Sequence, residues 1–208
     1  MATRAKAAGY HGCEGVKFAP KETEGYGTPV ALPYAKGINP SALLDAVEQY
    51  ADNRLLFRIP SDKGYEGEFS TTAPDAEFEK MAGFAMEGAN GLIRTNVAAY
   101  VRGALYYEFI ERDADGKPSK VKVWMYEVEV GKGSETYSTD TENIELGTYA
   151  YPFRAYGTPV MDDEGTNEYL DDNGMGRTAY MYVARPNDTG YATFGDTVPV
   201  PKLAASGG

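Results

Sequence analysis

Chemistry in this chain would have to begin from very few residues. His11 is the sole imidazole and Cys13 the sole thiol among 208 residues. Two positions apart on an extended chain, they share one face, so a thiol–imidazole contact is geometrically open. Nucleophilic catalysis also needs a third group to orient the imidazole and donors to hold an oxyanion. The glycine-flanked residues around the pair offer neither, and it reads as a strand-edge histidine beside a structural cysteine. A single cysteine excludes an intrachain disulfide and a cysteine-based zinc site, and a single histidine excludes a His-pair metal site.

Carboxylates are plentiful but unsorted. Asp162-Asp163-Glu164 and Asp171-Asp172-Asn173-Gly174 gather oxygen ligands. The alternating spacing of a calcium loop, with its distant glutamate, is missing, so both read as solvated acidic loops. A glycosidase needs two carboxylates across a scissile bond, and among 31 acids nothing marks a pair. There is no GxxxxGK[ST], and no GxGxxG between a strand and a helix. Gly131-Lys132-Gly133-Ser134 runs into Glu135 and a polar stretch instead of an apolar helix, as a strand-exit turn does. No catalytic, cofactor-binding or metal-ligating residue is assigned. The expectation is a chain that is not an enzyme and needs no cofactor.

Composition narrows the class. At 42% hydrophobic and 25% charged residues, the chain has enough apolar content for a core and an ordinary soluble surface. Acids outnumber bases 31 to 20, for a net charge of −11. A protein that grips phosphates by counterion release is normally basic. The charge is uneven: residues 1–36 carry a net +2, residues 37–156 a net −8, and residues 157–208 a net −5. No run approaches the roughly 18 apolar residues of a membrane helix. The opening MATRAKAAGYHG is too polar for the apolar heart of a secretory signal, which points to assembly in a cytoplasm. Tyr 17, Gly 24 and Pro 12 suggest an all-β protein with many turns and much amphipathic surface.

The elements that must position these residues are mostly strands. Odd positions from Val97 to Phe109 are apolar, with Arg102, Glu108 and Arg112 between them, which predicts a strand over 97–112 with one apolar face. Gly103 suggests a bulge or a close backbone approach. After the turn residues Asp113 to Pro118, a second strand is expected over 120–130. There Trp124, Tyr126, Val128 and Val130 share one face, and Val121, Val123 and Met125 the other. The two strands form a long hairpin, covered on both sides near Trp124. Further strands are expected over 12–18, 30–38, 65–71, 141–149 and 178–185. One helix is expected over 74–87, capped by Thr72 and ended by Gly88. Its Phe78, Met81, Ala82 and Ala85 fall at helical spacing. Residues 50–64 read as a loop holding an apolar knot of Leu55, Leu56, Phe57 and Ile59. That knot is either a satellite core strand or a surface awaiting a partner. Residues 158–176 read as a long acidic loop and 187–208 as an arm, either packed on the main domain or ordering on a neighbour.

The fold class is therefore all-β with one flanking α-helix, a β-sandwich or partly closed β-barrel with a long hairpin and extended arms. Residues 1–156 form the main domain. Residues 157–208 add an acidic loop, one more strand and a C-terminal arm packed on it.

The order of motifs resembles a known family. Tyr26-Gly27-Thr28-Pro29-Val30, leading to Tyr34-Ala35-Lys36-Gly37-Ile38-Asn39-Pro40-Ser41, is similar to the opening of the major tail tube proteins of long, non-contractile-tailed bacteriophages. Tyr50-Ala51-Asp52-Asn53 resembles the family's YADD-type loop, and the helix over 74–87 falls where the family has one. Val97-Ala98-Ala99-Tyr100-Val101, Val123-Trp124-Met125-Tyr126-Glu127-Val128, Glu135-Thr136-Tyr137, Thr139 and Glu142-Asn143-Ile144-Glu145-Leu146 continue the likeness. It covers residues 12–156; residues beyond 156 and the apolar 55–59 stretch depart from it.

The resemblance implies a structural virion protein without an active site. Such proteins self-assemble in the host cytoplasm into hexameric rings that stack as the viral tail tube, the conduit for DNA ejection. It implies partners in further copies of the chain and in tape-measure, tail-terminator and baseplate or tip proteins, with DNA only in transit and no membrane. Leu55, Leu56, Phe57 and Ile59 are then the expected ring-stacking contacts. Other readings compete: a β-sandwich module binding carbohydrate or protein, an enzyme using a carboxylate pair and, within the resemblance, a tail-completion protein or the inner tube protein of a contractile tail-like machine.

Overall fold

The computed structural model describes residues 7–96, 100–137 and 147–204. In chain order the strands are β1 (Ala7–Pro20), β2 (Val30–Ala31), β3 (Ala35–Ile38), β4 (Ser41–Ala51) and β5 (Arg54–Thr71). A single helix, α1 (Ala76–Met81), precedes the small hairpin β6 (Ala85–Gly88) and β7 (Gly91–Arg94). Then come β8 (Val101–Asp113), β9 (Pro118–Val130), β10 (Ser134–Thr136), β11 (Thr148–Ala155), β12 (Thr158–Pro159), β13 (Thr178–Ala179) and β14 (Met181–Ala184). The protein is all-β with one short helix.

One antiparallel, ten-stranded sheet carries the fold in the order β2-β1-β8-β9-β11-β5-β3, with β4 added on β5, β10 on β11 and β14 on β9. The sheet curls until β3 lies alongside β1, yet the two ends do not pair. The architecture is one partly closed sheet, not two stacked ones. Its concave face buries Phe18, Phe69, Phe78, Leu105, Val121, Met125, Val128 and Tyr151, among others. Phe78 on α1 plugs this core edge-on against Tyr151 at 5.1 Å and Phe18 at 5.5 Å, an arrangement aromatic quadrupoles favour.

The convex face of β8–β9 is buried too. Ala104, Tyr106, Trp124 and Tyr126 form a second cluster, covered by Tyr182, Phe194 and Val198. The C-terminal segment is fastened there by hydrogen bonds. Trp124 Nε1 donates to Phe194 O at 2.7 Å, and Tyr126 Oη to Pro199 O at 2.8 Å. Of the two placements open for the C-terminal arm, its described residues take the one on their own subunit. The one-face expectation for the 97–112 strand is corrected in the same way, because β8 is covered on both sides.

The face assignment for the second half of β9 also changes. Val128 and Val130 join Val121, Val123 and Met125 in the inner core, away from Trp124 and Tyr126. The cause is local. Glu127 takes φ 46, and the β8–β9 register shifts between Gly103 and Leu105, so β9 holds one extra residue and its alternation resets. At that kink β9 exchanges one neighbour for another: β14 pairs with Lys122–Met125 and β11 with Val128–Val130. The close approach expected at Gly103 is present, since a Cβ there would collide with the Ala19 carbonyl and the Phe18 ring.

Other expectations are shortened or split. Asp75, not Thr72, caps the helix, its carboxylate accepting from Phe78 N at 2.8 Å. The helix ends at Met81 because Gly83 adopts φ 74 and the chain turns into β6. The strand expected over 30–38 breaks at Pro33, which has no N–H to donate, and at Tyr34, with φ 61. Val97, Ala98, Ala99, Thr139 and most of the strand expected over 141–149 lie outside the described residues; β11 begins at Thr148. The largest correction concerns residues 50–64. They are not a loop but the outer part of a hairpin, β4–β5, whose strands are 11 and 18 residues long.

Candidate functional site

The residues that might have done chemistry are held in structural roles. Arg112 Nε donates to His11 Nε2 at 2.9 Å, which occupies the only imidazole. Burial, helped by the Glu14 charge, pushes the Cys13 thiol up, the opposite of what an activated nucleophile requires. Asp162 accepts from the backbone N–H groups of Gly165 and Thr166 at 2.7 and 2.9 Å. Asp171 accepts from Asn173 N and Met175 N at 2.9 and 3.1 Å. Both carboxylates are held below their usual range, chiefly by these backbone donors. The acidic loops are therefore carboxylate-stapled turns. Among the described residues no group of three His, Cys, Asp or Glu side chains is placed to hold a metal. Lys132 of the Gly131–Ser134 turn donates to Thr95 O at 2.9 Å.

One buried charge needs explanation. Glu79 of α1 is 1% exposed. Its Oε1 accepts from Tyr149 Oη at 2.6 Å, and its Oε2 lies 3.5 Å from Arg94 Nε. Arg94 also pairs with Glu135 and sits over the Tyr149 ring. A buried carboxylate is tolerated when a cation and donors compensate it. This cluster ties α1, β7, β10 and β11 together, and its role is structural.

The exposed apolar surface lies on β4–β5. Beyond Ala42 and Tyr65, β4 and β5 pair only with each other among the described residues, so the ribbon leaves the body with two uncovered faces. Register places Val47 opposite Ile59, Gln49 opposite Phe57 and Tyr50 opposite Leu55. A bulge leaves Leu56 as the extra residue. Val47, Ile59 and Phe57 therefore share one face, and Tyr50 with Leu55 occupies the other. Leu56 is 64% exposed and Phe57 46%. Leu44, Val47, Tyr50, Leu55 and Ile59 are also exposed.

The hairpin is built to keep its shape. Asp52 and Asn53 at its end take φ 50 and 58, the left-handed pair of a tight two-residue turn that matches strand twist. Lys63 Nζ meets Asp45 Oδ2 at 2.5 Å and holds that carboxyl below its usual range. Arg58 and Glu48 face each other at 3.5 Å, and Tyr50 Oη donates to Glu48 at 2.8 Å. All four residues of the expected stacking set sit together on one protruding element. Sequence reasoning missed Leu44 and Val47 on β4, which extend the same surface. A second, smaller hairpin, β6–β7, exposes Met86, Leu92 and Ile93.

No helix among the described residues is long and apolar enough to cross a membrane. The sequence matches no protein-family model and no curated protein. Among solved structures, the chain is similar to one in the cryo-EM structure of the anti-feeding prophage baseplate, 6-fold symmetrised, at 8% identity and a TM-score of 0.36, covering 74% of this chain and 93% of that one.

Proposed function

We propose that this chain is a structural subunit of a phage tail. In this reading it is a major tail tube protein that polymerises as stacked hexameric rings and encloses the path of the ejected DNA. The observation that carries the reading is the β4–β5 hairpin. An isolated two-stranded ribbon is marginal in water, and the outer part of this one exposes seven large apolar side chains with, among the described residues, an unpaired edge on each strand. Such a surface is an aggregation liability unless a partner covers it. The order of sequence motifs across residues 12–156 supports identifying that partner as another copy. His11, Asp162 and Asp171 are engaged in hydrogen bonds that hold strands and turns, which fits a role in assembly. The negative charge of residues 37–156 suits a conduit that must not hold DNA by counterion release.

Electron microscopy of the purified protein, together with sedimentation velocity, tests the reading. Rings, or tubes of stacked rings, are the expected result. A monodisperse monomer at all concentrations would overturn it. An inner tube of a contractile machine makes the same rings and is separated from this reading by a surrounding sheath on the native particle.

A further inference from the structure

The partly closed sheet leaves a seam where its two ends meet. The β1–β2 ladder continues as far as Leu32 N, which donates to Val16 O at 2.8 Å. Pro33 and Tyr34 then break it, and β3 turns to pair with β5. Among the described residues, no backbone hydrogen bond joins residues 10–13 to residues 36–38. Between them opens a groove of about 530 Å³ lined by Tyr10, Cys13, Ile38, Pro40, Tyr107 and Phe109. Its floor is a row of rings, with Tyr10 and Phe109 5.4 Å apart and Phe109 and Tyr107 6.4 Å apart. Lys36 stands on one wall, and Arg112 reaches the other through His11.

The groove and the hairpin tip belong to one chain but cannot meet within it. Pro40 is a wall of the groove, and β4 begins at the next residue. Eleven strand residues, rising about 3.3 Å each, carry the tip roughly 35 Å away from that wall. The tight turn and the ion pairs along the ribbon hold it extended. An apolar plug and an apolar slot at opposite ends of one rigid arm make a head-to-tail, heterologous contact, the kind that closes a ring or propagates a filament.

We propose that the β1–β3 groove is the receptor for the β4–β5 tip of a second copy, with Phe57 and the bulged Leu56 seated on the Tyr10–Phe109–Tyr107 row. Asp52 at the extreme tip then approaches the cations Lys36 and Arg112. The unpaired edges of β1 and β3 offer the incoming ribbon backbone partners, as in strand addition. The proposal rests on the hairpin being an assembly arm, and it adds where that arm docks.

Cys13 makes the test direct, because the only native thiol lines the groove. Leu56→Cys places a second thiol on the exposed tip. Chains with two thiols that meet head to tail link in series, whereas chains with one thiol stop at dimers. The full-length variant, assembled and treated at mildly alkaline pH with a short bis-maleimide, should give a denaturing-gel ladder extending beyond the dimer. Leu56→Cys combined with Cys13→Ser should lose every band above the dimer. Leu92→Cys on β6–β7, with Cys13 retained, should give no ladder. Rings or tubes by microscopy without a Leu56→Cys ladder would overturn the groove while leaving the tube reading intact. A ladder from Leu92→Cys would also overturn it, by assigning the groove to the other hairpin. Failure of the wild-type chain to assemble at all would overturn both.

Discussion

The β8–β9 and β4–β5 hairpins are both long antiparallel ribbons with apolar residues on two faces, and the subunit treats them in opposite ways. On β8–β9 the inner face meets the curled sheet, and the outer face is covered by the chain's own C-terminal segment. On β4–β5 no described residue of the subunit covers either face beyond the base of the ribbon. Apolar alternation therefore signals burial only where the topology supplies a cover. Where it does not, the same pattern points to a partner. The convex face of β8–β9 shows how such a cover works: β14 and the C-terminal segment after it lie over the face, the latter held by hydrogen bonds from Trp124 and Tyr126 to backbone carbonyls.

The sharpest way to break the comparison is to place a charge on the inner face. Val128 is fully buried and pairs with Gly103 and Ala155. Val128→Glu puts a carboxylate among the apolar side chains of the inner core. The effective penalty is several kcal/mol, comparable to the ~5–15 kcal/mol that stabilises a typical domain. No folded subunit should be recovered, as judged by circular dichroism and solubility. A folded, assembling variant would show that Val128 does not face the core.

The outer face is expected to matter nearly as much, although much of its cover is an irregular segment. Trp124 is fully buried, packs against Tyr106 at 5.0 Å and is hydrogen-bonded to Phe194 O. Trp124→Ala should cost about 3–5 kcal/mol, as large-to-small core substitutions do, read from the urea midpoint. A loss below about 1 kcal/mol would mean that the C-terminal segment is a loose cover.

How much of this was legible follows the same divide. The β8–β9 hairpin, its turn, the close approach at Gly103 and the two-sided cover near Trp124 were readable because alternation and turn chemistry are local. The face of Val128 was not, because the reset depends on a left-handed Glu127 whose side chain is clamped by Lys21 and Tyr26, about a hundred residues away in sequence. The helix was overextended because Phe84 and Ala85 suit a helix or a strand, and only the left-handed Gly83 decides. The four apolar tip residues were readable as a group, but β4 was not. Ala, Leu, Glu and Gln in residues 41–50 favour helix intrinsically, and long-range pairing with β5 overrides them. The groove between β1 and β3 lay beyond sequence altogether, since it exists only where the sheet's two ends fail to pair.

The tyrosines of β8–β9 sharpen the comparison through pH. Burial raises the phenols of Tyr106, Tyr107 and Tyr126. Tyr107 reaches about 12, and hydrogen bonding to Glu108 adds to the effect at Tyr106. A folded value above the ordinary ~10 means that the folded state prefers the neutral phenol. This contribution is present in full below about pH 10 and is lost as pH rises through the folded values. Unfolding free energy should hold up to about pH 10 and then fall. Tyrosinate absorbance from these residues should appear together with the loss of circular dichroism. Ionisation of all the tyrosines well before unfolding would show that the β8–β9 faces are open to water.

The smallest expected effect on the subunit, and the most informative for the other hairpin, is at Phe57. In the isolated chain its ring is half exposed and faces the Val47–Ile59 side of the ribbon. Phe57→Ala therefore removes little buried surface, and the urea midpoint should move by no more than about 0.5 kcal/mol, as for other surface changes. Covering a phenylalanine at an interface is worth roughly 1.5–3 kcal/mol, so each subunit contact should weaken by about one to two orders of magnitude. Multiplied around a ring, that shifts sedimentation from polymer to free subunit at concentrations where the wild type assembles. The two measurements move independently, which makes the outcome decisive. A lowered midpoint with polymer intact would place Phe57 in its own subunit's core. The β4–β5 ribbon would then be a second β8–β9, covered from within, and assembly would have to run through another surface.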